Sequence, residues 1–219
     1  MCASEHAHDH RLRRLLAGRS LDVAILIFPE VEVLDFAGPF EVFSVAGRIL
    51  KRDGCAPFRV STVAAERRPV VARHGLPVTP NACFADRPAA DILIVPGGIV
   101  TQPLEDARTL DWIRAAAREA SLVASVCTGA FILARLGLLA GRACTTHWED
   151  IPDLRRAHPD LDVREDVPFV DEGAVVTSAG ISAGIGMSLH LVARILGAEA
   201  AQRTARQMQY DWSPPERAA

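Results

Sequence analysis

Continuous apolar runs alternate with segments of helical periodicity along most of this chain. Residues 22–29, 90–98 and 121–126 are mostly apolar at successive positions, which is typical of strands buried on both faces. A further strand is predicted over residues 58–66. Because strands alternate with helices, the pattern predicts a single α/β domain, a mostly parallel sheet flanked by helices on both faces.

The remaining elements follow from local start and stop signals. Apolar residues recur from Leu34 to Ile49, and we predict that this helix begins at Gly38-Pro39, because proline suits a first turn. Residues 67–89, rich in Pro and Arg, predict a hairpin or an irregular excursion. Further helices are predicted at residues 106–120, after Cys127 as far as Gly137 or Gly141, and at 151–158, 180–197 and 198–210. Short strands are predicted at residues 143–148 and, with a turn at 171–173, within residues 163–180.

Polar composition at the two ends sets the domain limits. We predict a flexible N-terminal extension over residues 1–20, one domain over residues 21–212 and a C-terminal tail over residues 213–219. Three histidines alternate in the extension, at His6, His8 and His10. Either a metal-binding tag or a solvated tail accounts for them, and the tail is the simpler interpretation.

Charge and cysteine usage narrow the class of protein. The net charge is −3 and aromatic residues make up 5%, so we expect no nucleic-acid partner. No apolar run is long enough for a membrane span or a signal peptide, so we expect a soluble protein. The five cysteines are widely spaced without a CxxC pair, which favours a reducing compartment, the cytoplasm, over disulfides or a zinc site.

Cys127 carries the strongest chemical signal. An apolar strand ends at Val126 and a helix starts within two residues, which is the strand–turn–helix arrangement of a nucleophile elbow. A helix N-terminus lowers the pKa of a nearby thiol, so we predict a nucleophilic thiolate. The amides of Thr128 and Gly129 are candidate donors to an oxyanion. The alternative is a buried, inert cysteine.

A Pro-Gly-Gly sequence ends the strand predicted before the cysteine strand. Gly97 and Gly98 allow the backbone to approach a ligand and to point N–H groups at it. In a parallel sheet, adjacent strands end at one edge, where ligands bind. We therefore expect these two amides to supply further oxyanion donors beside Cys127.

Asp35 is the leading candidate for a catalytic acid. It stands in an otherwise apolar segment just before the predicted helix. An aspartate there also serves as an N-cap, and that alternative stays open. Glu41, six residues further along, is a second candidate, although it could equally face solvent.

His147 is the candidate partner of the thiol. It follows Cys127 by twenty residues and ends a strand that we predict to neighbour the cysteine strand. Cys–His pairs are a common basis for thiolate activation, and Glu149 or Asp150 could orient the ring. A structural role is the alternative for His147, and His190 is interpreted as packing. Cys144 and His147 are too few ligands for zinc, so no metal site is predicted.

Five motifs in this order resemble the ThiJ/PfpI superfamily. They are DFAGPFEVF, the PGG strand end, SVCTGAF, TTHW and SAGISAGIGMSLHLVARILG, and the resemblance covers roughly Asp22 to Trp212. It implies a flavodoxin-like sandwich of the class I glutamine-amidotransferase type and a homodimer. Within the superfamily the chain looks most similar to the isonitrile hydratases and to the sensor domains of AraC-type regulators.

The hydratase resemblance implies a reaction and its residues. Cys127 would be the nucleophile and Asp35 the acid, with Thr128 at the site and His147 matching a family histidine of variable role. The resemblance also suggests substrate contacts from Gly38 and Ile181. The implied enzyme is a lyase without a cofactor that adds water to an isonitrile.

Two other classes of function stay open. One is a ligand-sensing domain that lacks the DNA-binding half of the regulators, since only seven residues follow Trp212. The other is a stress-response thiol protein, such as a redox sensor or a glyoxalase-like or deglycase-like enzyme.

Overall fold

The structure is a computed structural model, and it describes residues 7–51 and 56–213. A seven-stranded sheet forms the centre of the molecule. The strands in chain order are β1 (Leu21–Leu26), β2 (Phe58–Ala64), β3 (Val70–Val71), β4 (Pro77–Val78), β5 (Ala82–Cys83), β6 (Ile92–Val95), β7 (Leu122–Val126), β8 (Ala143–Cys144), β9 (Asp162–Val163), β10 (Phe169–Asp171) and β11 (Val175–Ser178). The helices are α1 (Ala7–Leu16), α2 (Val33–Lys51), α3 (Thr101–Glu105), α4 (Ala107–Glu119), α5 (Gly129–Arg135), α6 (Ile151–Ala157), α7 (Ala183–Leu196) and α8 (Ala198–Gln207).

The sheet is parallel except at one edge. Its order is β10-β11-β7-β6-β1-β2-β5, and only β10 and β11 pair antiparallel. Every residue of β1, β6, β7 and β11 is buried, because helices cover the sheet and leave neither face to water. Helices α1, α2, α7 and α8 pack together as one layer, and α3, α4 and α5 form another. The predicted α/β class is confirmed.

The strand order creates a crevice at the carboxyl edge of the sheet. From β1 the chain proceeds to β2 and β5 on one side, and then returns to β6 and β7 on the other. Connections therefore leave β1 and β6 in opposite directions, and ligands bind at such a switch point in open α/β sheets. The segments after β1, β6 and β7 all emerge there.

Helix α2 begins earlier than predicted. It starts at Val33, so Pro39 lies inside the helix and not in its first turn. Pro39 has no N–H group, and the carbonyl of Asp35 consequently loses its usual intrahelical donor. The apolar residues Phe36, Val42 and Phe43 are buried on both sides of the proline, and this packing holds the helix together across it.

The N-terminal stretch contains a docked helix where we expected a loose extension. Helix α1 buries Leu12 in the core, and Asp9 lies 2.6 Å from Nη2 of Arg194. The polar composition of this segment did not indicate the docking, because the contacts that hold α1 come from α7, which is far away in the sequence. His6, Cys2, Cys55 and most of the C-terminal tail lie outside the described residues.

The strand predicted at residues 143–148 is shortened to β8, which pairs with β9 in a separate two-stranded sheet. The cysteine strand β7 lies between β6 and β11, so β11 occupies the place expected for the strand at residues 143–148. The excursion at 67–89 contains the β3–β4 pair and the edge strand β5, while the two strands predicted around the turn at 171–173 are present as β10 and β11. Within the described part of the chain, no helix has the length and apolar character to cross a membrane.

Candidate active site

The backbone at Cys127 forms a sharp turn between β7 and α5. Cys127 has φ 55°, in the left-handed region that side chains rarely adopt. Its N–H donates to the Ser178 carbonyl at 3.1 Å, and the Thr146 hydroxyl donates to its carbonyl at 2.8 Å. These bonds hold the turn, and the strand–turn–helix arrangement expected from the sequence is present.

Gly129 makes this turn possible. A Cβ at Gly129 would lie 2.1 Å from the carbonyl oxygen of Val95, at the end of the neighbouring strand β6. No real Cβ approaches a backbone oxygen so closely, so only glycine lets α5 begin against that strand. The glycine two residues after Cys127 is therefore a packing requirement of this turn.

Asp35 lies at the base of the site, fully buried. One carboxyl oxygen, Oδ2, accepts the Gly97 N–H at 3.0 Å, whereas Oδ1 has no hydrogen-bond partner among the described residues. The Cys127 thiol and the Ile181 amide also approach the carboxyl. Asp35 is thus not an N-cap, because it belongs to the first turn of α2 and its bonds leave the helix.

Burial dominates the charge state of this carboxyl. Removal from water raises the pKa of Asp35 to about 7, and the nearby charge of Glu32 contributes to the rise. The Gly97 N–H and the Cys127 thiol oppose it. Asp35 therefore takes up and releases a proton near neutral pH, as a general acid–base group must.

The thiol of Cys127 does not have the lowered pKa that its helix-start position predicted. Burial raises its pKa to about 12, and the charge of Asp35 adds to the effect. The backbone N–H and hydroxyl of Thr128 oppose the shift without overcoming it. Helix α5 has only seven residues, so its dipole is outweighed by the loss of water around the sulfur.

The two glycine amides expected to bind an oxyanion already have partners. Gly97 donates to Asp35, and Gly98 donates to the Thr128 hydroxyl at 2.9 Å, which returns a bond to the Gly98 carbonyl. The turn after β6 therefore positions the acid and the threonine. Of the predicted donors, the Thr128 amide is the one that acts on the sulfur.

His147 reaches the site without a neighbouring strand. Its Nδ1 lies 3.3 Å from Oδ2 of Asp150 and 3.9 Å from Oε2 of Glu149, so Asp150 is the closer orienting group. The ring also rests on Gly180, where a Cβ would meet His147 Cδ2 at 2.0 Å. A carboxylate and a backbone surface thus fix the plane of the imidazole.

Cys127, Thr128 and His147 line a reactive cleft of about 360 Å³, whereas the fully buried Asp35 is not part of its lining. Its lining residues are Glu32, Arg73, Gly98, Cys127, Thr128, His147, Glu149, Asp150 and Ile181. Ile181 is 39% exposed and supplies the apolar part. Gly38, expected to contact substrate, lies elsewhere, since a Cβ there would meet Ile185 of α7 at 2.9 Å. Glu41 is exposed and does not line the cleft.

Glu32 and Arg73 are site residues that the sequence did not indicate. Arg73 Nε lies 3.7 Å from Oε2 of Glu32, and the Arg73 N–H donates to the Val31 carbonyl. The excursion after β2 brings Arg73 to the cleft, and no local pattern marks such a contact.

Over residues 7–51 and 56–213, no three His, Cys, Asp or Glu side chains are grouped as metal ligands would be.

The chain is similar to known proteins of one family. A profile described as the DJ-1/PfpI family matches residues 22–194. The isonitrile hydratase of Pseudomonas putida is 36% identical over 197 residues, 90% of this chain and 81% of that protein. The transcriptional regulator GbdR of Pseudomonas aeruginosa is 30% identical over 189 residues, and the chain spans half of its length. A crystal structure of a ThiJ/PfpI family protein from Pseudomonas syringae matches with a TM-score of 0.78 and 27% identity, covering 92% of this chain and 79% of that one.

Proposed function

We propose that this chain, which belongs to the DJ-1/PfpI family, hydrates small isonitriles to N-substituted formamides without a cofactor. The observation that carries the proposal is the buried Asp35 carboxyl, with its pKa raised to about 7, beside the Cys127 thiol. The similarity to an isonitrile hydratase over 90% of the chain supports the same chemistry.

The first half of the reaction forms a carbon–sulfur bond. Protonated Asp35 gives its proton to the terminal carbon of the isonitrile, which becomes electrophilic. Cys127 Sγ attacks that carbon and its thiol proton passes to Asp35, giving a thioimidate. No free thiolate has to accumulate, which agrees with the raised pKa of Cys127.

The second half adds water and restores the thiol. Asp35, protonated again by the thiol, gives that proton to the thioimidate nitrogen, and its carboxylate takes a proton from water as the water oxygen adds to the thioimidate carbon. The carbon–sulfur bond then breaks, Asp35 gives its proton to the departing sulfur and takes the hydroxyl proton of the adduct, and the N-substituted formamide leaves. Positioned proton transfer of this kind contributes about 10²–10⁴-fold. His147, held by Asp150, is assigned to orient the water on the open side of the cleft.

Turnover of an isonitrile tests the proposal directly. Wild-type protein should convert a small aliphatic isonitrile to its formamide, measured by loss of the isonitrile infrared band and by mass spectrometry of the product. Cys127→Ser should fold and show no conversion. If wild-type protein leaves the isonitrile unchanged, the hydratase proposal is wrong.

A ligand-sensing role is the second candidate. The raised pKa of the Cys127 thiol favours it, because a protonated thiol suits a pocket that binds without reaction. The similarity to GbdR over 86% of the chain supports it as well. Calorimetry that shows saturable isonitrile binding, together with unchanged ligand after prolonged incubation, would select this role.

We also propose that the protein forms a homodimer and that it is located in the cytoplasm, a reducing compartment. Several large apolar side chains are exposed, among them Leu34 and Ile181, and a second copy would cover them. The odd number of cysteines supports a reducing compartment. Light scattering that gives the mass of a single chain at micromolar concentration would contradict the dimer.

A further inference from the structure

We infer that a second cavity, separate from the reactive cleft, binds a small uncharged apolar molecule. The cavity measures about 460 Å³ and opens at the carboxyl ends of β1 and β2. Helix α4 and the segment around β3 complete its walls. Ligand pockets have volumes of about 300–1,000 Å³ with mainly apolar linings and a few polar groups, and this cavity has both properties.

Its walls are apolar and partly aromatic. Leu26, Ile27, Phe28 and Val70 contribute from the sheet side. Phe84 forms a further wall, and its ring is stacked on Trp112 with centroids 4.7 Å apart. A ring fixed from behind in this way offers a rigid surface to an apolar ligand.

The charged groups at the rim compensate one another. Glu66 lies 2.9 Å from Nε of Arg68 and 3.7 Å from Nη1 of Arg108, and Arg108 also donates to the Ala65 carbonyl. The first N–H groups of α4 bond to the carboxylate of Asp106. An anionic ligand would find these donors in use, so the cavity suits an uncharged molecule.

Two chain segments separate the cavity from the reactive cleft. Phe28 and Val71 line the cavity, whereas Glu32 and Arg73, a few residues further along each segment, line the cleft. The segments are joined by the bond from the Glu30 N–H to the Val71 carbonyl at 2.9 Å. The cavity is therefore a separate site, and the inference does not depend on the proposed reaction.

Indole is a suitable probe because it is small, apolar and uncharged. Wild-type protein should bind it at one saturable site in a saturation-transfer NMR titration. Ala65→Phe places a ring in the cavity and should weaken binding at least tenfold. Val71→Asp, at a rim position that is 48% exposed, should weaken it without disturbing the core, which keeps the test valid if Ala65→Phe fails to fold.

Two variants serve as controls. Ala107→Phe makes the same change at an exposed residue of α4 outside the cavity, and Glu149→Trp obstructs the reactive cleft. Both should bind indole within about twofold of wild type. The inference is overturned if wild-type protein binds no indole, if Val71→Asp binds it as tightly as wild type, or if Glu149→Trp abolishes binding.

Discussion

Asp35 is fully buried and Asp171 is partly buried, and their pKa values shift in opposite directions. Burial raises the pKa of both. Asp35 accepts the Gly97 N–H and has the Cys127 thiol and Ile181 amide nearby, and these neutral groups do not outweigh burial, so its pKa rises to about 7. Asp171 is held by His190 Nε2 at 2.6 Å and by Arg194 Nη1 at 2.9 Å, and these partners outweigh burial, so its pKa falls below the usual value.

The difference separates the proposed catalytic site from a cluster that anchors helices. Asp9, Asp171, His190 and Arg194 form an anchor cluster that joins α1, α7 and β10, in which the Arg194 guanidinium pairs with both carboxylates. Asp35 instead has one carboxyl oxygen, Oδ1, without a hydrogen-bond partner among the described residues, beside the Cys127 thiol. A buried carboxyl without a counter-ion costs stability, and proton transfer in the cleft is a function that would account for retaining it.

Replacing each aspartate separately by asparagine should give the largest difference between the two sites, and the difference should be in turnover. Asp35→Asn removes the proton donor and should lower isonitrile turnover by about 10²–10⁴-fold, a general acid's usual contribution. Asp171→Asn should leave turnover within a few-fold of wild type. Initial rates of formamide release measure both. An Asp35→Asn protein with wild-type rates would refute the catalytic assignment.

The anchor cluster should give the largest change in stability. Arg194→Met leaves Asp9 and Asp171 without their shared guanidinium, and loss of one member of a buried ion pair typically costs about 3–5 kcal/mol. Arg155→Met breaks an exposed pair with Glu165, at 2.9 Å, and should cost under about 1 kcal/mol. Urea unfolding at pH 7 compares the two. Equal costs would show that the cluster contributes no more than a surface pair.

Local sequence patterns predicted the strands and the turn around the cleft better than the hydrogen bonds between its residues. The buried strands and the turn at Cys127 follow from runs of apolar residues near in sequence, so the sheet edge could be anticipated. The partners of Gly97 and Gly98 could not, because they depend on how α2 and α5 pack against the turn after β6. The anchor cluster was missed for the same reason: Asp9 and Arg194 are far apart in the chain.

Asp35 should make stability depend on pH in the opposite sense to Asp171. Its pKa is about 7 when folded and ordinarily 3.8, so its stabilising contribution is complete below about pH 4 and is lost as the pH rises through 7. Asp35→Asn should therefore be more stable than wild type at pH 8, by about 1–3 kcal/mol, and lose that advantage near pH 4. Urea unfolding at both pH values measures this. A variant less stable than wild type at pH 8 would contradict the uncompensated charge.

The smallest expected effect concerns the rate at which Cys127 reacts with iodoacetamide. Burial raises its pKa first, and the charge of Asp35 raises it further. Removing that charge in Asp35→Asn should lower the thiol pKa and speed alkylation by about 3–10-fold at pH 8.5, where wild-type Asp35 is ionised. At pH 5.5 wild-type Asp35 is protonated, so the two proteins should react alike.

Cys144 provides the matched control for this measurement. It is also buried, with a pKa raised to about 11, but Asp162 and not Asp35 is the charge beside it. Its alkylation, followed on the same samples by peptide mass spectrometry, should be unchanged by Asp35→Asn at either pH. A parallel change at Cys144 would indicate general loosening of the fold. Equal rates at Cys127 in both proteins at pH 8.5 would mean that Asp35 and the thiol do not share a proton equilibrium, and the acid of the cleft would have to be sought at His147.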